Sequence, residues 1–367
     1  MGKPLEKLTI EGFKSIRELR DFELGQLNLL IGPNGAGKSN LVDFFRLLRA
    51  MADENLRGFV TRGGKAANFF FNGPQQTPRI HAHLVFGDNK YDFVLEPTVS
   101  NEMLIEETAI YDGHLGRSNQ TVKGGSESVL KQWKDKKSGW ADRKGYPAYV
   151  YDAVSSWMIY HFHDTGVTAP MRLDSSSRNF RELGPDAGNI AAFLLKLRND
   201  HTARYQRIRE TIQLVAPFFD DFVLEPQGDQ ELVRLEWRQK GSTYPFQPWN
   251  LSDGTIRFIC LATALLQPNP PSTIIIDEPE LGLHPHALET LSSLIHEVSL
   301  ATQLVVSTQS AILVDHFEPH DVIVVQRNEG ASTFRRLETA DLEPWLDEYS
   351  LGALVRKNIV EAGPSHG

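Results

Sequence analysis

A single cysteine, Cys260, stands in 367 residues, so no intramolecular disulfide framework is possible. Its place in the apolar run RFICLATALL points to burial rather than redox or metal chemistry, as expected in a reducing cytoplasm. No uninterrupted apolar stretch approaches the roughly 20 residues that cross a bilayer, and MGKPLEKLTI lacks the apolar core of a secretory leader. These absences lead us to expect a soluble intracellular protein with no membrane partner. Sustained heptads and fixed-period repeats are missing too, which excludes coiled-coil arms and solenoids. Nor is positive charge in excess: 38 Lys and Arg against 47 Asp and Glu leave a net charge of -9. That balance argues against whole-surface affinity for polyanions and leaves only a local basic groove for nucleic acid. With 41% apolar and 23% charged residues, the chain has the material for one compact domain, with or without an insertion.

Apolar patterning then supplies an order of elements. LTIEGF, RDFEL and the run Leu27 to Ile31 read as strands, Gly32 to Ser39 punctuates sharply, and LVDFFRLLRAM has helical spacing. RIHAHLVFG and KYDFVLE alternate as antiparallel strands. From Gly113 to Tyr146 the composition turns to Gly, Ser and Lys, the mark of a surface insertion. Asp186 is placed to cap a helix over AAFLLKLRND, followed by helix to about Phe219 and strands FVLEP and LVRLEW. Strand and helix alternate from Leu251 to Gln326, with strands at Thr273 to Ile276, Gln303 to Val306 and Val322 to Gln326 and a helix near Ala287 to Ser299. Such alternation implies a mostly parallel sheet.

Two motifs carry chemistry. Gly32-Pro33-Asn34-Gly35-Ala36-Gly37-Lys38-Ser39 matches G-x-x-x-x-G-K-[ST] between a buried strand and a helix. Its glycines let backbone N–H groups wrap phosphates, Lys38 reaches the β and γ oxygens, and the Ser39 hydroxyl is a Mg²⁺ ligand. Thr273-Ile274-Ile275-Ile276-Asp277-Glu278 is a β-branched run ending in two carboxylates, which a buried strand must give a partner. Mg²⁺ suits Asp277, and Glu278 is placed to activate a water in nucleotide hydrolysis.

Leu251-Ser252-Asp253-Gly254-Thr255 opens a helix just upstream of that acidic strand, an anion site on local chemistry or a plain N-cap. Here the sequence resembles the ATP-binding-cassette ATPases, whose LSGGQ-type signature precedes the acidic strand by this interval. LSDGT resembles the variant in the branch holding structural-maintenance-of-chromosomes (SMC), RecF and overcoming-lysogenisation-defect (OLD) ATPases. Pro279-Glu280-Leu281-Gly282-Leu283-His284-Pro285 then corresponds to the D-loop, and Val305 to Ser310 to the switch strand, with Gln309 where the family usually has histidine. Glutamine can donate a hydrogen bond to a γ-phosphate but carries no proton, so turnover is expected to be slow or partner-dependent.

The resemblance implies an α/β fold: an ABC/SMC-type P-loop ATPase head with a mixed central sheet, an antiparallel β lobe and a helical lobe. It implies ATP and Mg²⁺ as cofactors, ATP contacts from residues 32 to 39 and Asn40, metal contacts from Ser39 and Asp277, and catalytic roles for Lys38, Glu278 and Gln309. It implies further that Ser252, Asp253 and Gly254 act in trans on nucleotide held by a second copy, in an ATP-dependent homodimer or higher oligomer. Head segments are expected at 1–110 and 251–340, with a basic insertion at 111–150, a helical/β lobe at 151–250 and a tail at 341–367. Only 211 residues separate Ser39 from Leu251, which excludes the long-armed relatives, and the chain lacks a toprim nuclease cluster after its last strand. E-P-E-x-x-L-H-P and Y-H-F-H-D-T resemble the compact OLD/RecF-like AAA group of prokaryotic phage-defence loci. That likeness implies a sensor or scaffold for a separate effector, such as a toprim-like nuclease. A RecF-like DNA-repair ATPase and an ATP-binding scaffold with little turnover are the alternatives.

Several features stay open on sequence. Gln75 and Gln76 are candidates for the family's Q-loop or a plain turn. His161 and His163 share one face of a strand, as metal ligands with Asp164 or as a hydrogen-bonded turn. Arg117, Lys123, Lys131, Lys134, Lys136, Lys137, Arg143 and Lys144, interleaved with Trp133 and Trp140 and offset by Glu127, Asp135 and Asp142, form a nucleic-acid or acidic-partner surface or a solvated loop. Phe69, Phe70 and Phe71 read as buried strand rather than a docking patch, and Trp345, Leu346, Tyr349 and Leu351 as a cap on the core or a docking site for a partner.

Overall fold

The computed structural model describes residues 3–114, 116–135, 145–229 and 231–360. Three fully buried runs, Leu27–Ile31, Thr273–Asp277 and Gln303–Thr308, build the middle of a six-stranded sheet. Both faces of these strands are covered, which is why they read as continuous apolar runs rather than alternating ones. Across the sheet the order is Ala331–Arg336, Val322–Asn328, Leu27–Ile31, Gln303–Thr308, Thr273–Asp277 and Met158–Tyr160. All neighbours pair in parallel except the edge strand Ala331–Arg336.

Successive side chains of these strands point to opposite faces, so one sheet feeds two cores. Leu29, Ile274, Ile276, Leu304 and Val306 join helices Ile190–Asp200, Thr202–Val215, Asp253–Leu266 and Pro285–Ser299. Leu30, Ile275, Val305 and Ile323 face the Lys38–Ala52 helix and a second sheet. That sheet is antiparallel, in the order Ile16–Glu23, Lys7–Phe13, Ile80–Phe86, Asn89–Pro97, Met103–Gly113 and Gly116–Gly125. The expected α/β class, mixed central sheet, antiparallel lobe and helical side are all present.

Local differences from the sequence reading have physical causes. Gly116–Gly125 is a strand: its polar residues fit an edge strand exposed on both faces, a pattern that composition alone reads as loop. Leu130 and Trp133 of the same segment are buried, Trp133 edge-on to Tyr91, so Trp133 is core rather than a stacking platform. Lys136, Lys137, Trp140, Asp142, Arg143 and Lys144 lie outside the described residues. Asp186 is not a helix cap. Its carboxylate accepts from Gly188 N at 3.0 Å in a turn through Ala187, at φ 56°, and the helix starts after Asn189. Phe69, Phe70 and Phe71 are buried, but on a 3₁₀ turn and the loop after it. LVRLEW divides between Leu232–Val233, paired with Ser175–Ser176, and Glu236–Gln239, paired with Phe219–Val223. In the tail Leu351 is buried and Leu346 and Tyr349 pack on the core, while Trp345 is exposed. Cys260 is buried, and burial pushes its thiol pKa far up. Among the described residues no helix is long and apolar enough to cross a membrane.

Candidate functional site

Parallel strands deliver their C-terminal ends to one edge of the sheet, the place where open α/β sheets bind ligands. Here Ile31, Asp277, Thr308 and Tyr160 all end their strands on that edge, each continued by a loop that carries polar residues.

After Ile31 the chain turns through Gly32 to Gly37 into the Lys38–Ala52 helix. Gly37 stands at φ 115°, and a Cβ there would lie 2.0 Å from Ser332 Oγ, so only glycine fits. Lys38 is 5% exposed and donates from Nζ to Gly32 O at 2.6 Å and Pro33 O at 3.1 Å. Burial lowers its pKa against the opposing pull of Glu278, Asp277 and Glu280. Asn34, Gly35 and Ser39 form the exposed rim and Asn40 is half-buried. Thus free N–H groups at a helix start, a lysine at the loop's centre and a hydroxyl at the rim are assembled as an anion cradle. The loop is also held from outside. Ser332 Oγ donates to Ala36 O at 2.6 Å and contacts Ser15 Oγ at 2.6 Å, and Asn40 Nδ2 donates to Ser15 Oγ at 2.6 Å. Sequence reasoning missed Ser15 and Ser332, since no motif marks serines about 320 residues apart.

Asp277 ends its strand opposite Ser307 and is 5% exposed. Asp277 Oδ1 and Ser307 Oγ are both buried without a hydrogen-bond partner. Two such orphans are costly unless a ligand completes them, so the pair fits a hydrated divalent cation beside a phosphate. Glu278 follows at φ 47°, a left-handed conformation that costs a non-glycine residue about 1 kcal/mol or more and gathers at functional sites. Its N–H donates to Ser307 O at 2.7 Å, which fixes the carboxylate's direction. Gln309 Nε2 donates to Glu278 Oε1, and Gln309 N donates to Glu280 Oε1 at 2.7 Å. Burial raises the Glu280 pKa, and its other oxygen is a further buried orphan.

The Met158–Tyr160 strand ends before the two histidines, so they occupy a loop, not a strand as the sequence suggested. Even so they share one side. Their ring centroids are 3.8 Å apart, with Phe162 turned into the core between them. They face Asp277 rather than Asp164, whose carboxylate is spent on Gly166 N at 3.0 Å. His163 Nε2 is 3.1 Å from Asp277 O, and His161 Nδ1 is 3.9 Å from Asp277 Oδ2. Burial, then His163 and Arg46, lower the His161 pKa. Gln75 and Gln76 lie exposed in a turn after Phe71, in agreement with the plainer reading.

Ser252 caps the Asp253–Leu266 helix, accepting from Thr255 N at 3.2 Å. Ser252 and Asp253 are exposed, and buried Arg172 clamps the loop from beneath, donating to Pro248 O at 2.5 Å, Leu251 O at 3.2 Å and Asp253 Oδ1 at 2.9 Å. A Cβ on Gly254 would lie 2.3 Å from Gly282 O, so its glycine lets the helix start touch the 279–285 loop. Arg257, 5% exposed, donates to Phe162 O at 2.8 Å, to His163 O at 3.0 Å and to Leu281 O. The helix, the histidine loop and the 279–285 loop are therefore one connected unit. A lone arginine inside IRFICLATALL was the available signal for it.

Comparison with known proteins agrees with this geometry. Residues 27–315 match the family described as "AAA domain, putative AbiEii toxin, Type IV TA system". The chain is similar to the chromosome partition protein Smc of Rhodopirellula baltica, 25% identical over 268 residues, or 64% of this chain and 21% of that protein. It is 48% identical over 56 residues to Smc of Desulfitobacterium hafniense, or 15% of this chain and 5% of that protein. The chain thus spans about a fifth or less of the curated relatives it matches. Among solved structures it resembles an Smc head bound to the C-terminal winged-helix domain of ScpA, with TM-score 0.55 and 16% identity, covering 92% of this chain and 99% of that one. An Smc head with an extended coiled coil, bound to the C-terminal domain of ScpA derived from Pyrococcus furiosus, gives 0.52 and 14%, covering 94% and 99%. At these identities the likeness is one of fold.

Proposed function

The chain belongs to this AAA-domain family of P-loop ATPases, and from that premise we propose that it binds and slowly hydrolyses ATP, closes into a dimer around it, and uses the closed state to hold a separate effector protein. The observation that carries the reading is the convergence of Lys38, Asp277, Glu278 and Gln309 on one sheet edge, with the buried, unpartnered Asp277 Oδ1 and Ser307 Oγ among them. In this reading Gly32 to Gly37 wrap the phosphates, Lys38 exchanges its loop carbonyls for phosphate oxygens, and Ser39 and Asp277 hold Mg²⁺. The ion, when bound, neutralises charge on the β and γ phosphates. Glu278 orients the attacking water and accepts its proton, which requires Gln309 to release the carboxylate.

The exposed Ser252 and Asp253, at the start of their helix, are suited to reaching nucleotide held by a second copy. A protein partner has precedent in the Smc heads bound to ScpA domains. The family description, with its toxin and toxin–antitoxin terms, favours a defence role. A scaffold with little turnover draws support from the same Gln309 to Glu278 contact, which occupies the base. Burial of Trp133 removes one of the two aromatics on which a nucleic-acid surface would have stood.

The test is light scattering of purified Glu278→Gln with ATP. We expect a dimer with ATP and a monomer with ADP, and loss of both ATP binding and dimer in Lys38→Ala. A monomer at saturating ATP refutes the dimer, and wild-type turnover in Glu278→Gln removes the assigned base.

A further inference from the structure

We propose that His161, His163 and Asp277 form a protein-built metal site that takes a first-row transition ion of the Mn²⁺ or Co²⁺ kind in preference to Mg²⁺. The inference rests on the placement of Asp277 beside the nucleotide's cation and adds to it which ion the site selects. Its origin is the sheet register. Ile276 pairs in parallel with Tyr160, so the two chains leave the sheet side by side, one into Asp277 and the other into His161. Alternation then returns His163 to the same side, and burial of Phe162 fixes the phase.

One ligand atom from each of the three residues lies within 4.8 Å of the others. Two ligands on one ion at about 2.1 Å are about 3.0–3.4 Å apart, so closure asks each side chain to move by about an ångström. A second observation is the Asp277 carboxylate, 5% exposed, with Oδ2 at 3.9 Å from His161 Nδ1 and Oδ1 without a hydrogen-bond partner. His163 adds a third: its Nε2–H donates to Asp277 O at 3.1 Å, which fixes the imidazole beside the carboxylate. A ring N–H given to a carbonyl is the usual support of a metal-bound imidazole.

Two imidazoles and one carboxylate set the preference. Mg²⁺ favours oxygen donors and keeps its water, whereas imidazole nitrogen favours the later first-row ions. Affinity rises along the Irving–Williams order from Mn²⁺, the weakest of them, through Co²⁺, so two imidazoles bind Co²⁺ more tightly than Mn²⁺ and both ions more tightly than Mg²⁺. Glu278 Oε2, 3.7 Å from His163 Nε2, brings further negative charge.

The experiment is titration of the full nucleotide-free chain with Co²⁺, read by visible d–d absorption, and with Mn²⁺, read by electron paramagnetic resonance. One ion per chain is expected, surviving a roughly 100-fold excess of Mg²⁺. His161→Gln and His163→Gln should weaken Co²⁺ binding at least about tenfold with circular dichroism and ATP binding retained. Lys38→Ala should lose ATP and keep the cobalt spectrum. Equal Co²⁺ binding by wild type and both histidine variants overturns the site, as does displacement by equimolar Mg²⁺. No cobalt spectrum with intact Mg²⁺-dependent ATP binding sinks only this inference. ATP binding unchanged in Lys38→Ala sinks the nucleotide reading and leaves the metal result standing.

Discussion

Replacing Arg257 by methionine tests the claim that one buried side chain ties three functional segments together. Its guanidinium donates to the carbonyls of Phe162, His163 and Leu281. Burial lowers its pKa, and Asp253 and Glu280 pull the other way. A hydrogen bond from a charged donor contributes about 1.5–3 kcal/mol net, so three give about 4–9 kcal/mol. Methionine of similar length recovers about 1–2 kcal/mol of burial, and water reaches some of the freed carbonyls. We expect a net loss of about 3–5 kcal/mol. With a urea slope of about 3 kcal/mol/M for a chain of this size, the unfolding midpoint should fall by about 1–1.7 M, followed by tryptophan fluorescence. Because the Lys38 loop lies on the Leu27–Ile31 strand, outside the unit that Arg257 holds, folded Arg257→Met should still bind ATP but lose the ATP-induced dimer. Arg257→Lys, with fewer donors, should fall between. A midpoint shift under about 0.3 M, or normal dimerisation, would show that the three loops hold their places without this residue.

Other expectations follow from single contacts. Ser252→Arg should block the ATP-induced dimer while leaving nucleotide binding by the monomer intact; unchanged light scattering contradicts the trans contact. Gln309→His should raise turnover several-fold, because histidine carries the proton that glutamine cannot, and an unchanged or lower rate means that Gln309 does not limit hydrolysis. In the antiparallel lobe burial disfavours the Asp92 carboxylate, but bonds at 3.0 Å from His81 and His83 prevail and hold its pKa at about 2. That value is depressed from the ordinary 3.8, so its stabilisation is present above about pH 4 and lost as pH falls through 2. Asp92→Asn should cost about 1–2 kcal/mol at pH 6 and about half that at pH 3, allowing for partial exposure; a cost independent of pH in denaturation curves would contradict this.

How much was legible follows from the range of each cause. The turn at Gly32 to Gly37 and the acid-terminated strand are written in contiguous residues, because backbone conformation, N–H supply and strand burial are local. Edge strand Gly116–Gly125 was hidden because exposure on both faces erases alternation. Asp186 misled because an acidic residue before an apolar run caps a helix or closes an Asx turn equally well, and Ala187 at φ 56° selects the turn.

By itself, then, the sequence determined that a phosphate loop and an acidic strand exist, and that helices and strands alternate around a buried sheet. Only the tertiary structure decided which strands lie side by side, and hence that His161 and His163 meet Asp277 rather than Asp164, that Ser15 and Ser332 brace the loop, and that Arg257 joins three segments. Strand order belongs to the whole sheet: parallel neighbours such as Ile276 and Tyr160 are more than a hundred residues apart, and no local preference encodes their pairing.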